Sequence, residues 1–174
     1  MMRWVFVFTF IVSLVAVEAA ALIRTGSTLG DFKVHDHQDK GYSISALYAG
    51  KAALIVFEDK DAGKQNQAFK KRFAALQKTL GGKVVLIPVA DVSAYDYWPA
   101  KGFVKDALRD AGKKVGVKVY ADWSGKGKTA LAAPAKRSNL VLVDKTRKVL
   151  WASAGQLTKA QEDQLLDLVK DAAR

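Results

Sequence analysis

Leu54 to Phe73, LIVFEDKDAGKQNQAFKKRF, joins two kinds of hydrophobic pattern through a short polar loop. Its first part belongs to a continuous apolar run, Ala52 to Phe57, the pattern of a strand covered on both faces. From Lys64 onward Phe69, Phe73, Leu76 and Leu80 recur at helical spacing, with Lys70, Lys71, Arg72 and Lys78 on the wet side. Gly81-Gly82 then closes the helix. A buried strand feeding an amphipathic helix is the unit of an α/β fold.

The neighbouring stretches extend that unit. Phe32-Lys33-Val34 and Tyr42-Ser43-Ile44 flank an Asp39-Lys40-Gly41 turn and read as an N-terminal hairpin. Val84 to Ala90 is a second buried strand, with Pro88 expected near its end because proline cannot donate to a ladder. Phe103, Val104, Ala107, Leu108 and Ala111 mark a second helix closed by Gly112, and Val117 to Ala121 a third strand. Thr129 to Ala133 reads as a helical turn before Pro134. Leu140–Val143 and Lys148–Ala152 form a hairpin across Asp144 to Arg147. Thr158-x-x-Gln161 is a capping box that opens a last helix with Leu165, Leu168 and Val169 on one side. Strands alternating with helices predict an α/β sandwich around a central mixed sheet, with helices on both faces.

The N-terminus reads differently. Met1-Met2-Arg3, the apolar run Trp4 to Val17 and the small residues Ala19 to Ala21 have the layout of a secretory signal peptide, too short to span a bilayer comfortably. The reading is residues 1–20 as signal and 21–174 as a single domain, periodic of neither repeat nor linker, and periplasmic or secreted. An uncleaved anchor is the alternative. An exported domain of this length needs no staples, and the chain has no cysteine. Thiol-disulfide exchange, thiol peroxidation and cysteine metal ligation are therefore excluded.

The net charge is +11, and removing one Arg and one Glu with the signal leaves it unchanged. Such a protein is drawn to anionic surfaces and acidic partners. Its lysines are spread along the chain and interleaved with Asp, as in Glu58-Asp59-Lys60-Asp61, which describes a solvated surface better than a polyanion groove. No nucleic-acid recognition module is legible.

Three stretches resemble the thioredoxin-like superfamily, and more narrowly its YtfJ-type exported proteins: GKAALIVFEDKDAGKQNQAFKKRF, VKVYADWSGKGKTALAA and SNLVLVDKTRKVLWASAGQLTKAQEDQLLDLV. The resemblance implies a thioredoxin-like sandwich with an N-terminal β-hairpin. It puts Ala62-Gly63-Lys64-Gln65 where a Cys-x-x-Cys would stand, and Ser138 where superfamily members place a cis-proline beside the substrate backbone. Both redox hallmarks are missing, while the family's peptide groove beside the loop is the part that can outlast the cysteines.

Candidate sites follow. A helix start after the loop could hold an anion, with Lys60 and Lys64 nearby, unless Asp59 or Asp61 caps it instead. DWSGKGKT ends like a P-loop, but Asp122 replaces the required first glycine, and NTP hydrolysis is rejected. His35 and His37, two apart, would face one way on a strand and could take a metal with Asp36 or Asp39, though two histidines make a poor set. The pair with nearby carboxylates also carries the alternative reading as a hydrolytic enzyme. Asp59, Asp61, Asp91 and Asp122 stand at strand ends as turn formers and caps, or as a carboxylate cluster. Tyr95, Tyr97 and Trp98 form an aromatic loop that serves either as a partner anchor or as part of the core. The leading expectation is a binding module for an envelope partner segment or an anionic ligand, through Lys60 to Gln65, Tyr95 to Trp98 and Ser138. Non-specific adhesion to anionic envelope surfaces is the other alternative. Nothing calls for a cofactor.

Overall fold

The computed structural model describes residues 22–174. The expected signal segment, residues 1–20, lies outside them. Seven strands form one mixed sheet: β1 (Lys33–His35), β2 (Gly41–Ser43), β3 (Ala52–Glu58), β4 (Val84–Asp91), β5 (Tyr120–Asp122), β6 (Asn139–Val143) and β7 (Val149–Ala154). Their order across the sheet is β2-β1-β5-β4-β3-β6-β7. The helices are α1 (Gln67–Thr79), α2 (Ala100–Val115), α3 (Lys126–Leu131) and α4 (Lys159–Ala172). β3, β4 and β5 run parallel, while β6 and β1 are antiparallel to their neighbours.

The unbroken apolar run of β3 is explained by its central place, with β4 on one side and β6 on the other. Alternate residues serve two cores. Ala53, Ile55 and Phe57 pack with Phe32, Val34, Tyr48 and Leu131 on one face. Ala52, Leu54 and Val56 pack on the other with Phe69 and Phe73 of α1, Leu165, Leu166 and Val169 of α4, and Trp151. A third, smaller cluster of Val92, Leu108, Ala121 and Trp123 holds α2. At the start of α4 the Thr158–Gln161 capping box is present with both reciprocal hydrogen bonds.

Several boundaries depart from the sequence reading. α1 begins at Gln67 rather than near Lys64, because residues 59–66 fold into consecutive turns. Pro88 is not near the end of β4: it pairs with Val56 in mid-strand. β5 opposes β4 only from Val89↔Tyr120 onward. Continuing that register would put Val119 opposite Pro88, which has no N–H to share. The expected strand over Val117–Ala121 is accordingly displaced to Tyr120–Asp122.

Candidate functional site

The parallel strands β3, β4 and β5 all end at one edge of the sheet, which presents Glu58, Asp91 and Asp122. Each of these acids has a partner within the protein. Asp122, fully buried, accepts from the Gly127 N–H at 2.8 Å and the Lys128 N–H at 3.3 Å through Oδ2, and from Ser124 through Oδ1. It thereby builds the turn of the P-loop-like stretch from within. Asp91 holds the Ser93 hydroxyl at 2.8 Å and faces Lys128 Nζ at 3.5 Å. Glu58 pairs with Lys70 at 2.6 Å and accepts from the Ser138 hydroxyl.

The loop after β3 is cross-linked throughout. Asp59 Oδ1 accepts from the Asp61 and Ala62 N–H groups at 3.0 Å, and its Oδ2 accepts from Lys136 N–H at 2.6 Å. Gln65 spans the gap to the segment before β6: its Nε2 donates to the Lys136 carbonyl at 3.1 Å and its Oε1 accepts from the Ser138 N–H at 3.0 Å. One side-chain amide thus occupies the backbone donor and acceptor that an added strand would use. Ser138 itself is fully buried, and its carbonyl accepts from Gly155 N–H. Ala62 is fully buried too. Asn66 completes the closure. Its Nδ2 donates to the Gly155 carbonyl at 2.9 Å, its Oδ1 accepts from Leu157 N–H at 2.8 Å, and its own N–H donates to Gln156 Oε1 at 3.1 Å.

The aromatic loop is held in the opposite sense, pointing outward. Tyr97 N–H donates to the Tyr95 carbonyl and Lys101 N–H to the Tyr97 carbonyl, both at 2.9 Å. Lys101 Nζ sits 2.9 Å from Asp96 and 4.8 Å from the Trp123 ring centroid. The Asp96 hydrogen bond holds the Lys101 pKa above its ordinary value. On this base Trp98 is 91% exposed and Tyr97 59%, so Trp98 is no part of the core. Lys60 lies 5.8 Å from the Tyr95 ring, and hydrogen bonding to Tyr95 raises its pKa. The structure therefore brings Lys60 to the aromatic loop and Gln65 to Ser138. Lys64 is exposed and Gly63 half-buried, with the Gly63 carbonyl accepting from Gln67 Nε2 at 2.6 Å.

The histidines do not share a strand. β1 ends at His35, while His37 lies in the following turn against α2, in a cleft of about 410 Å³ with Arg109, Lys113 and Lys118. Asp36 is buried and accepts from Gln38 N–H, Lys40 N–H and the Tyr42 hydroxyl. Asp39 faces Lys101 and Lys105 at 3.7 and 3.8 Å. Among the described residues no three His, Cys, Asp or Glu side chains come together as a metal-holding group. Gln65 and Asn66 carry the most consequential contacts of the loop. The Asn66 role had no local signal beyond asparagine's tolerance of a left-handed backbone.

Residues 92–172 match a family model described as a bacterial protein of unknown function, YtfJ_HI0045. Among solved structures, a candidate thiol:disulfide interchange protein DsbE from Chlorobium tepidum is 16% identical with a TM-score of 0.64, over 87% of this chain and 99% of that one. An exposed lipoprotein thioredoxin from Streptococcus pneumoniae is 19% identical with a TM-score of 0.61, over 82% and 99%. A peroxiredoxin-like protein from Aquifex aeolicus is 12% identical with a TM-score of 0.63, over 87% and 89%. No curated protein matches the chain. The chain has a thioredoxin-like fold without a cysteine, and its residues 92–172 are similar to the YtfJ-type family.

Proposed function

We propose that this chain is an exported, redox-inactive thioredoxin-fold binding module of the cell envelope, periplasmic or secreted. It takes a partner protein segment or an anionic ligand at the corner formed by Lys60, Tyr95, Tyr97 and Trp98. The observation that carries this reading is the 91% exposure of Trp98 on a loop whose base is tied by the Asp96–Lys101 pair. Large aromatics of this kind supply much of the binding energy at protein interfaces, and ordering them beforehand lowers the cost of association. Lys60 and Lys64 add the positive charge that suits an acidic partner. The Ala62–Gln65 loop and Ser138 enter as the frame behind that corner, since their polar groups are engaged with one another. Thiol exchange has no group to perform it.

The test is capture from envelope extract by the mature chain at low and high salt, repeated with Trp98→Ala and Lys60→Ala. A defined partner that survives high salt and is lost with either substitution supports the reading. Loss of all captured material together as salt rises refutes it in favour of general electrostatic adhesion.

A further inference from the structure

The opposite end of the sheet, where β3 and β4 begin, holds a cleft of about 430 Å³. It is enclosed by the turn into β3 at Gly50-Lys51, the α1–β4 turn at Gly81-Gly82-Lys83, the β6–β7 turn and the end of α4. Strand register brings its lysines together. Ala52 pairs with Val84, so one residue earlier Lys51 stands beside Lys83. Ala53 pairs with Val143, and the same ladder carried to the level of Lys51 reaches Lys145 on its other side. Neighbouring strands are about 4.8 Å apart, and like charges placed side by side across them cost stability. Lys51 Nζ lies 4.0 Å from where a β-carbon on Gly82 would stand, so its ammonium group reaches over the α1–β4 turn.

Nothing within the protein offsets these charges. Among the described residues no carboxylate comes within ion-pair distance of Lys51, Lys83 or Lys145, whereas Arg174 pairs with Asp171 and Lys170 with Asp167. Asp144 is the one acid lining the cleft. Its Oδ1 accepts from the Thr146 N–H and hydroxyl, both at 2.7 Å, and from the Lys148 N–H at 2.9 Å, so it serves the β6–β7 turn. The two helix ends do not account for the lysines either. α1 and α4 carry Lys78 and Lys170 in their own last turns. The Leu80 N–H donates to the Leu76 and Gln77 carbonyls, the Lys83 N–H to the Leu80 carbonyl and the Arg174 N–H to the Asp171 carbonyl. Those terminal carbonyls are met by backbone and not by a lysine.

We propose that this cleft binds a phosphate group, carried by a soluble ester or by a lipid headgroup. Lysine binds phosphate as a point charge, and the about two negative charges of a phosphate monoester answer three ammonium groups better than one carboxylate would. The backbone leaves room beside them: Gly81 and Gly82 turn with φ of 58° and 73°, and a β-carbon on Gly50 or Gly81 would meet nothing within 4 Å. Leu150 and Ala172, on the far wall, offer apolar contact to the carbon part of such a ligand. The site goes beyond the binding reading and is independent of it, since it lies at the other end of the sheet from the Lys60–Trp98 corner.

Pyrophosphate is the first probe, titrated into isotope-labelled mature chain with sodium chloride holding the ionic strength constant. Saturable shifts of the Lys51, Gly81 and Gly82 amide resonances are expected. Lys51→Gln with Lys83→Gln should weaken binding about tenfold or more. Lys33→Gln with Lys114→Gln removes the same charge from exposed positions outside the cleft and should change affinity less than about twofold. Without ligand the Lys51/Lys83 variant should have a urea midpoint no lower than the wild type, because repulsion is relieved. Pyrophosphate should raise the midpoint of the wild type and not that of this variant. An absence of saturable shifts at millimolar pyrophosphate overturns the proposal, and so does equal weakening by the two double variants, which marks general surface charge. A Lys51/Lys83 variant less stable than wild type without ligand also overturns it, since the lysines would then serve the fold. Phosphatidylglycerol vesicles distinguish the sources. Pelleting that pyrophosphate competes away and the Lys51/Lys83 variant lacks assigns the lipid headgroup, while pyrophosphate binding without pelleting assigns a soluble phosphate.

Discussion

Asn66 gives the sharpest test of how the cysteine-free loop is held. It is 1% exposed and adopts a left-handed backbone, φ 57°, at the N-cap of α1. Its side chain satisfies the Gly155 carbonyl and the Leu157 N–H. Asn66→Gly removes both hydrogen bonds but leaves the backbone at ease, and each stranded group costs about 1–3 kcal/mol, or roughly 3 kcal/mol together after partial rehydration. Asn66→Ala loses the same bonds and adds about 1 kcal/mol for a β-carbon in the left-handed region. In urea these losses lower the unfolding midpoint by about 2 M at an unchanged slope, followed by fluorescence of the buried Trp151. Asn66→Asp supplies a third reading. Its protonated form can donate to the Gly155 carbonyl, whereas the carboxylate cannot. The folded-state pKa is therefore raised, so the variant is more stable at acid pH and loses that stability as pH rises through it. A glycine variant within about 0.5 kcal/mol of wild type would refute the cross-linking argument. Equal losses for alanine and glycine would refute the backbone term alone.

Other expectations follow from the same geometry. A β-carbon on Gly127 would lie 2.7 Å from the Phe32 ring and 2.9 Å from Asp122 Oδ2, so Gly127→Ala is expected to cost about 1–3 kcal/mol in a denaturant titration. The buried Tyr48 hydroxyl has no hydrogen-bond partner, and burial pushes its pKa up to about 12. The unfolded chain gives up that proton near pH 10 while the folded one retains it, so stability falls between about pH 10 and 12 by roughly 2–3 kcal/mol. Tyr48→Phe should flatten this alkaline loss without weakening the protein at neutral pH, and thermal melts across that range compare the two. Trp98→Ala should leave stability within about 0.5 kcal/mol of wild type, because so little of the side chain is buried. A larger loss on calorimetry would mean that Trp98 serves the fold.

Legibility in the sequence tracked how local the cause of each element is. β3 announced itself through six consecutive apolar residues, and Thr158 and Gln161 fixed the start of α4 through contacts only three residues apart. The thioredoxin-like arrangement followed from such elements in order. β5 was misplaced because its length depends on Pro88, a residue of another strand. For α2 the periodicity gave the helix but not its orientation. Phe103, Ala107 and Ala111 read as readily inward as Val104 and Leu108, and only the small third cluster on the sheet decides which row is covered. The histidine pair failed similarly, since Asp36 ends the strand between the two rings with its own turn.

The candidate site separates along the same line. Trp98 and Lys60 were found as residue types, but their exposure came from a polar base made by Asp96 and Lys101. The loop itself could not be read, because its partners lie 71 to 91 residues away in sequence. A reactive cysteine at this place needs an accessible position and a free helix start to stabilise the thiolate. Here Ala62 is buried, α1 begins several residues later, and the first N–H at that start is taken by Gln156. Placing Cys at 62 and 65 would therefore remove the Gln65 bridge to Lys136 and Ser138 before it created a redox site. The loop is a structural joint between β3, β6 and the β7–α4 connection, and any recognition by this edge has to work from the side chains that stand outside that joint.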